Sequence, residues 1–293
     1  MSPAIISMHE FNRRKRKEDI MIKTEVILHE IEKELKKANI IINNEVKKFV
    51  DSYNGPFSYA IKENYKLAEK ECLPLCQDTG FIEFFVFLGH RIILEDPIYR
   101  TLQNAVRKVY TENPFRYSMV SDPIFDRKNT GDNTPPIIHL FQVEGKKLEI
   151  RFLVKGGGSE NLTKLCMLKP SSDVEEIKKI VIDHIKENAV NSCPPLHVGI
   201  GIGGSSEKAL LNSKLALTKS FFEKNKNPTY AKLEKEILSE INSLKIGFQG
   251  LGKGITAYAV HIEYSPTHIA TLPLAISVDC YLCRRGKIVI EDG

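Results

Sequence analysis

Three cysteines lie far apart in this 293-residue chain, each beside polar or glycine-rich chemistry. Cys76 opens CQDTG, Cys193 sits in NSCPPLHVGIGIGG and Cys280 closes TLPLAISVDC. Three thiolates are one short of the four that usually hold an iron–sulfur cluster. A cluster held that way has one iron without a protein ligand, and an open iron binds substrate and acts as a Lewis acid. The count points to a cluster that does chemistry rather than one that only carries electrons. Two plainer readings stand beside it. Cys72, Cys76, Cys280 and Cys283 could hold a structural zinc, which leaves Cys193 and the glycine strings unexplained. Taken singly, a cysteine is more often a small buried hydrophobe than a ligand, and Cys72, Cys166 and Cys283 are expected to be that.

Other candidates are weaker alone. Asp78, two residues after Cys76, could serve as a general acid or base, although an aspartate in DTG is commonly a turn former. Arg116 could pair with a substrate carboxylate through both guanidinium nitrogens. His268 could donate to substrate or simply be packed. In KGGGSEN, the side-chain-free backbone around Gly157 and Gly158 could cradle an anion, with Lys155, Ser159 and Asn161 as flanking donors. The string from Gly199 to Gly204 is formally GxGxxG. It lacks a second strand ending in an acidic residue about 20 positions on, so a glycine turn approaching a cluster or anion is the better reading.

These residues need a scaffold, and the pattern supplies one. An apolar stripe through Val26, Ile27, Ile31 and Leu35 predicts a helix over 22–38. A second helix follows Asn43 or Asn44, and a third runs from the Asn54-Gly55-Pro56 break to about Lys70. Phe81 to Leu88 reads as a buried strand. Asp96-Pro97 starts a helix that Asn113-Pro114 stops. A turn-rich loop spans Asp122 to Pro136, long enough to suggest function. Leu148 to Val154 alternates as a strand with one buried face. Ser172 and Glu175 form a capping box for a helix to about Asn188. Helices over 205–218 and 230–244 and strands over 255–264, 269–278 and 287–290 complete the chain. Helices dominate the first half and strands the last, so the expected class is α+β with a mixed sheet core.

Composition narrows the class. With 42% hydrophobic and 27% charged residues, the chain reads as soluble and globular, and no apolar run approaches membrane length. Six cysteines in a chain this long suit a reducing cytoplasm rather than a disulfide scaffold. The net charge is +5, and the run Arg13, Arg14, Lys15, Arg16 and Lys17 reads as a solvated extension within residues 1–20 in preference to a nucleic-acid patch. Residues 21–293 then form one functional unit with room for two subdomains.

The strings CQDTG, NTGDNTP, KGGGSEN, CPPLHVGIGIGG and HIATLPLAISVDCYLCRR, in this order, resemble the alpha subunits of class I iron–sulfur hydro-lyases. These are two-chain fumarate hydratase and the related L-tartrate dehydratase. The resemblance implies a [4Fe-4S] cluster on Cys76, Cys193 and Cys280 with one open iron. It implies that Gln77 and Asp78 face the substrate, Asp78 as proton donor, and that Arg116, Gly157, Gly158 and His268 bind the dicarboxylate. The family's last motif usually reads C-H-A-x-R, whereas here it is Cys280-Tyr281-Leu282-Cys283-Arg284. The family's base lies in a second domain, and the chain ends soon after this motif. The expectation is therefore a cytoplasmic α2β2 hydro-lyase, active only with a beta chain and interconverting fumarate and (S)-malate. L-tartrate dehydratase, or a non-catalytic zinc or nucleic-acid module, is the alternative.

Overall fold

The computed structural model describes residues 19–291, so the basic run lies outside the described residues. Two four-stranded sheets sandwich a single helix. Strands in chain order are β1 (Ile20–Ile22), β2 (Phe81–Gly89), β3 (Ile92–Leu94), β4 (Ile137–Val143), β5 (Leu148–Lys155), β6 (Lys164–Leu168), β7 (Leu196–Gly203), β8 (Ala257–Ser265), β9 (Leu272–Asp279) and β10 (Arg285–Ile290). One sheet has the order β10-β5-β2-β4, the other β6-β9-β7-β8, and β1 pairs with β3. The α+β expectation holds, and β2, β4 and β5 share one sheet with β10 from the end of the chain.

Strand alternation sorts the side chains into layers. Ile82, Phe84 and Val86 of β2 pack with Ile150, Phe152 and Val154 of β5 against the helices Thr24–Ile40 and Ile98–Glu112. Phe85 and Leu153, on the opposite face, meet Leu217 of the helix Ser206–Leu217. In the second sheet Val198, Ile200 and Ile202 join a core with the helices Val174–Asn188 and Pro228–Ser243.

The intervening glycines of β7 face the central helix. A methyl group on Gly199 would lie 2.1 Å from Ser213 O, and one on Gly201 would lie 1.9 Å from Ala209 O. The G-I-G-I string is thus a strand whose glycine face lets a helix pack against its backbone, not a turn that approaches a ligand. Its two prolines fall just before the strand, so β7 occupies a central position without losing ladder bonds.

Two helix starts fall one residue later than expected. Asp173, not Ser172, caps Val174–Asn188 by accepting from Glu176 N–H at 2.8 Å. Pro97 precedes Ile98–Glu112, while Asp96 turns away to Thr24 and Arg100.

Candidate active site

Every motif except the His268 loop gathers at one end of the two sheets. CQDTG leads into β2 and KGGGSEN leaves β5, with Phe81 opposite Lys155 in the antiparallel ladder. Cys193 precedes β7 and Cys280 follows β9, with His197 opposite Asp279. β10 then starts opposite Leu153, which returns Arg284 and Arg285 to the same edge.

Asp78 is the centre of this edge. Its Oδ1 accepts from Gly80 N–H at 2.9 Å and from Ser118 Oγ at 3.5 Å. Its Oδ2 accepts from Gly157 N–H at 2.9 Å. Amide donors on both oxygens fix the direction of the carboxyl group. The surrounding backbone is equally tied. Tyr110 Oη donates to Thr79 O at 2.5 Å, and Thr79 Oγ1 donates to Arg116 O at 2.5 Å. Asn133 of NTGDNTP donates to Gly80 O at 3.0 Å and accepts from Ser118 N–H at 2.6 Å. The loop from Asp122 to Pro136 therefore braces the Asp78 turn.

The three cysteines are free thiols around Tyr281. Tyr281 N–H donates to Cys193 O at 3.0 Å. Burial raises the Tyr281 phenol pKa, and the thiols of Cys280, Cys76 and Cys193 raise it further, so all three act on one ring. Burial pushes the Cys280 thiol up to about 12, with Asp279 adding to the effect. Cys193 is raised by partial desolvation and then by Cys76. It adopts a left-handed backbone (φ 50), a costly conformation for a non-glycine residue and a common mark of functional sites.

Among the described residues, no three His, Cys, Asp or Glu side chains converge on a point where one ion could sit. The four-cysteine zinc site is therefore not formed. Cys72 is exposed at a helix end, which also corrects its expected burial. Cys283 is buried as expected and donates its Sγ–H to Cys280 O at 3.0 Å. A cluster makes a different demand, because each cysteine binds a different iron. Three unpaired thiols at one edge fit that demand, with Cys76, Cys280 and Tyr281 packed against one core cluster and Tyr281 N–H holding Cys193 O. So does Ser192 Oγ, a buried hydroxyl beside Cys193 with no partner among the described residues, which could donate to a sulfide.

The remaining candidates divide. Gln77 and Arg116 are exposed on the Asp78 side, and neither side chain has a recorded partner among the described residues. Gly157 and Gly158 are exposed in a short helical turn, Gly157–Glu160, rather than a flexible loop. His268 lies at the opposite end of the second sheet, between β8 and β9, where its Nδ1 accepts from Ala270 N–H at 3.1 Å. The eight residues of β9 separate it from Cys280 by about 23 Å.

Two charged residues at the site have roles that the sequence did not assign to them. Arg284 donates to Asp78 O at 2.7 Å and to Asn39 Oδ1 at 3.2 Å, tying the last cysteine motif to the Asp78 turn. Its position in the final motif was the available signal. Lys155 is fully buried and donates to Val278 O at 2.5 Å, so it is not the surface anion donor that its glycine neighbours suggested. Nothing in the local sequence announces that burial.

The family profile described as "Fumarate hydratase (Fumerase)" matches residues 21–289. A Methanocaldococcus jannaschii protein, provisionally named L(+)-tartrate dehydratase subunit alpha, is 40% identical over 232 residues, covering 78% of this chain and 81% of the relative. The L(+)-tartrate dehydratase subunits alpha of Escherichia coli O157:H7 and of strain K12 are each 36% identical over 222 residues, covering 74% of this chain and 73% of each relative.

Proposed function

The chain belongs to the fumarate hydratase (Fumerase) family of hydro-lyases, and on that premise we propose that it hydrates fumarate to (S)-malate reversibly, as the alpha chain of a two-chain enzyme. The observation that carries the reading is Asp78. Its carboxylate is clasped by Gly80 and Gly157 at the edge where the three cysteines gather.

Cys76, Cys193 and Cys280 would hold a [4Fe-4S] cluster, whose iron without a protein ligand supplies Lewis acidity toward the substrate hydroxyl. Asp78 holds the proton of the reaction at its carboxylate. It returns that proton to the departing hydroxyl in dehydration and takes it from water in hydration. The two amide donors hold the carboxyl in place without occupying every lone pair, so a proton can still arrive. Arg116 and Gln77 reach outward unpaired and would bind substrate carboxylate oxygens, Arg116 through two parallel bonds. Gly157 turns its N–H inward to Asp78, so it acts by aiming the acid, while Gly158 stays open toward the substrate side. Arg284 fixes the Asp78 backbone from behind. Holding acid and dianion in register is where most of the rate gain is expected.

Relatives carry the name "subunit alpha", which supports a beta chain that supplies the base for the C3 proton. His268 can meet the substrate only if a second copy brings its loop to the cysteine end. That suits an assembly with two of each chain. No helix among the described residues is long and apolar enough to cross a membrane. Free thiols and a cluster suit a reducing cytoplasm.

The relatives' names favour a second reading, L-tartrate dehydration, by the same residues. Anaerobic assay with the partner chain on fumarate, (S)-malate and L-tartrate tests both. Fumarate hydration with the higher kcat/KM supports the first reading, and preference for tartrate replaces it with the second. Wild-type activity from this chain alone would remove the need for a beta chain.

A further inference from the structure

Arg284 is only 3% exposed, and its charge is unanswered. Nη2 donates to Asp78 O at 2.7 Å and Nη1 to Asn39 Oδ1 at 3.2 Å, both neutral oxygens. Nε is buried with no partner among the described residues. A guanidinium keeps its charge at any working pH. Burying it with a bare donor and no counter-charge is costly, so an anion beside it is favoured.

Arg284 also lines a cavity of about 280 Å³. Two more cations line it, but each has a carboxylate partner. Lys37 pairs with Glu34 at 3.2 Å. Arg285 pairs with Glu45 and donates to His197 Nδ1 at 3.0 Å. The charge left over is that of Arg284. Asn43 and Asn44 bring the start of the nine-residue helix Asn44–Ser52 to the same cavity, where its dipole adds positive potential. Ile41 and Ile42 supply an apolar wall. The volume suits a molecule of a few carbons and is too small for a nucleotide.

We propose that this cavity binds a small organic oxyanion, its phosphate or carboxylate group held by Arg284 and the helix start, its carbons against Ile41 and Ile42. The site lies behind Asp78, and one guanidinium serves both places. Binding here does not rest on the cluster or on the reaction proposed above, so failure of either leaves this inference standing.

The test is thermal unfolding of the full chain at constant ionic strength, titrated with inorganic phosphate and separately with butyrate. At least one anion raises the wild-type midpoint saturably, and the one that does identifies the charged group recognised. Lys37→Glu and Asn44→Asp each weaken that binding by about tenfold or more. Asn44→Asp suits the first turn of a helix, yet it places a carboxylate in the cavity. No saturable rise with either anion overturns the proposal. An equal rise in wild type and both variants also overturns it, because the anion then binds elsewhere. If Lys37→Glu does not fold, Asn44→Asp decides alone, and undiminished binding there overturns the proposal.

Discussion

Asp78 Oδ2 accepts a 2.9 Å hydrogen bond from Gly157 N–H, across 79 residues of sequence. This contact joins CQDTG to KGGGSEN and aims the carboxylate toward the cysteine edge.

Replacing Asp78 with Asn keeps the shape and removes the proton carrier. The expected result is a loss of about 10²–10⁴ in kcat, the usual worth of a general acid, with little change in KM. Steady-state kinetics of the assembled enzyme checks it, with iron content as the control for an intact site.

Gly80 has φ +69, and a methyl group there would lie 2.6 Å from Lys155 O. Gly80→Ala is therefore destabilising by more than the roughly 1–2 kcal/mol of the left-handed conformation alone. At Gly157, the nearest atom to an added methyl is Asp78 Oδ2 at 4.0 Å, so Gly157→Ala is tolerated. Urea unfolding of the two variants measures the difference.

Gly201→Ala tests the packing role of the glycine string. The added carbon would meet Ala209 O at 1.9 Å and push the central helix off β7, at a cost of about 1–3 kcal/mol or more. A ligand-binding turn would instead lose binding with stability unchanged.

The readable part of the molecule was its punctuation. Asn43 marks a helix start, Asp96-Pro97 marks another to within one residue, and the alternation in Leu148 to Val154 marks a buried strand. β4 was not legible, because as an edge strand Ile137–Val143 is half-exposed on both faces and shows no clean alternation. Its ladder with β2 depends on residues more than fifty positions away. At the site, Cys76, Asp78 and Cys193 stood in distinctive strings. Lys155 and Arg284 stood in such strings too, but their burial is decided by β9 and by Asn39, which are distant in sequence. The placement of His268 is a matter of strand direction, which motif order does not reveal.

A buried histidine pair gives the pH dependence. His197 Nε2 lies 2.7 Å from His261 Nδ1, and His261 Nε2 donates to Glu223 O at 3.1 Å. Arg285 donates to His197 Nδ1 at 3.0 Å, so both rings are neutral. Burial lowers His261 to about 4. The unfolded chain binds this proton near pH 6.5, well before the folded chain does. Stability is therefore full above about pH 6.5 and falls as pH drops toward 4, by roughly 3 kcal/mol from His261. Urea midpoints at pH 7 and pH 4.5 measure the fall, and His261→Gln flattens it.

The central claim is that Cys76, Cys193 and Cys280 hold one four-iron cluster. The direct measurement is the iron, sulfide and zinc content of anaerobically reconstituted wild-type, Cys193→Ala and Cys72→Ala chains. Wild type and Cys72→Ala are expected to hold about four irons and four sulfides, and Cys193→Ala to lose the cluster. A single zinc that survives Cys193→Ala but is lost in Cys72→Ala would contradict it.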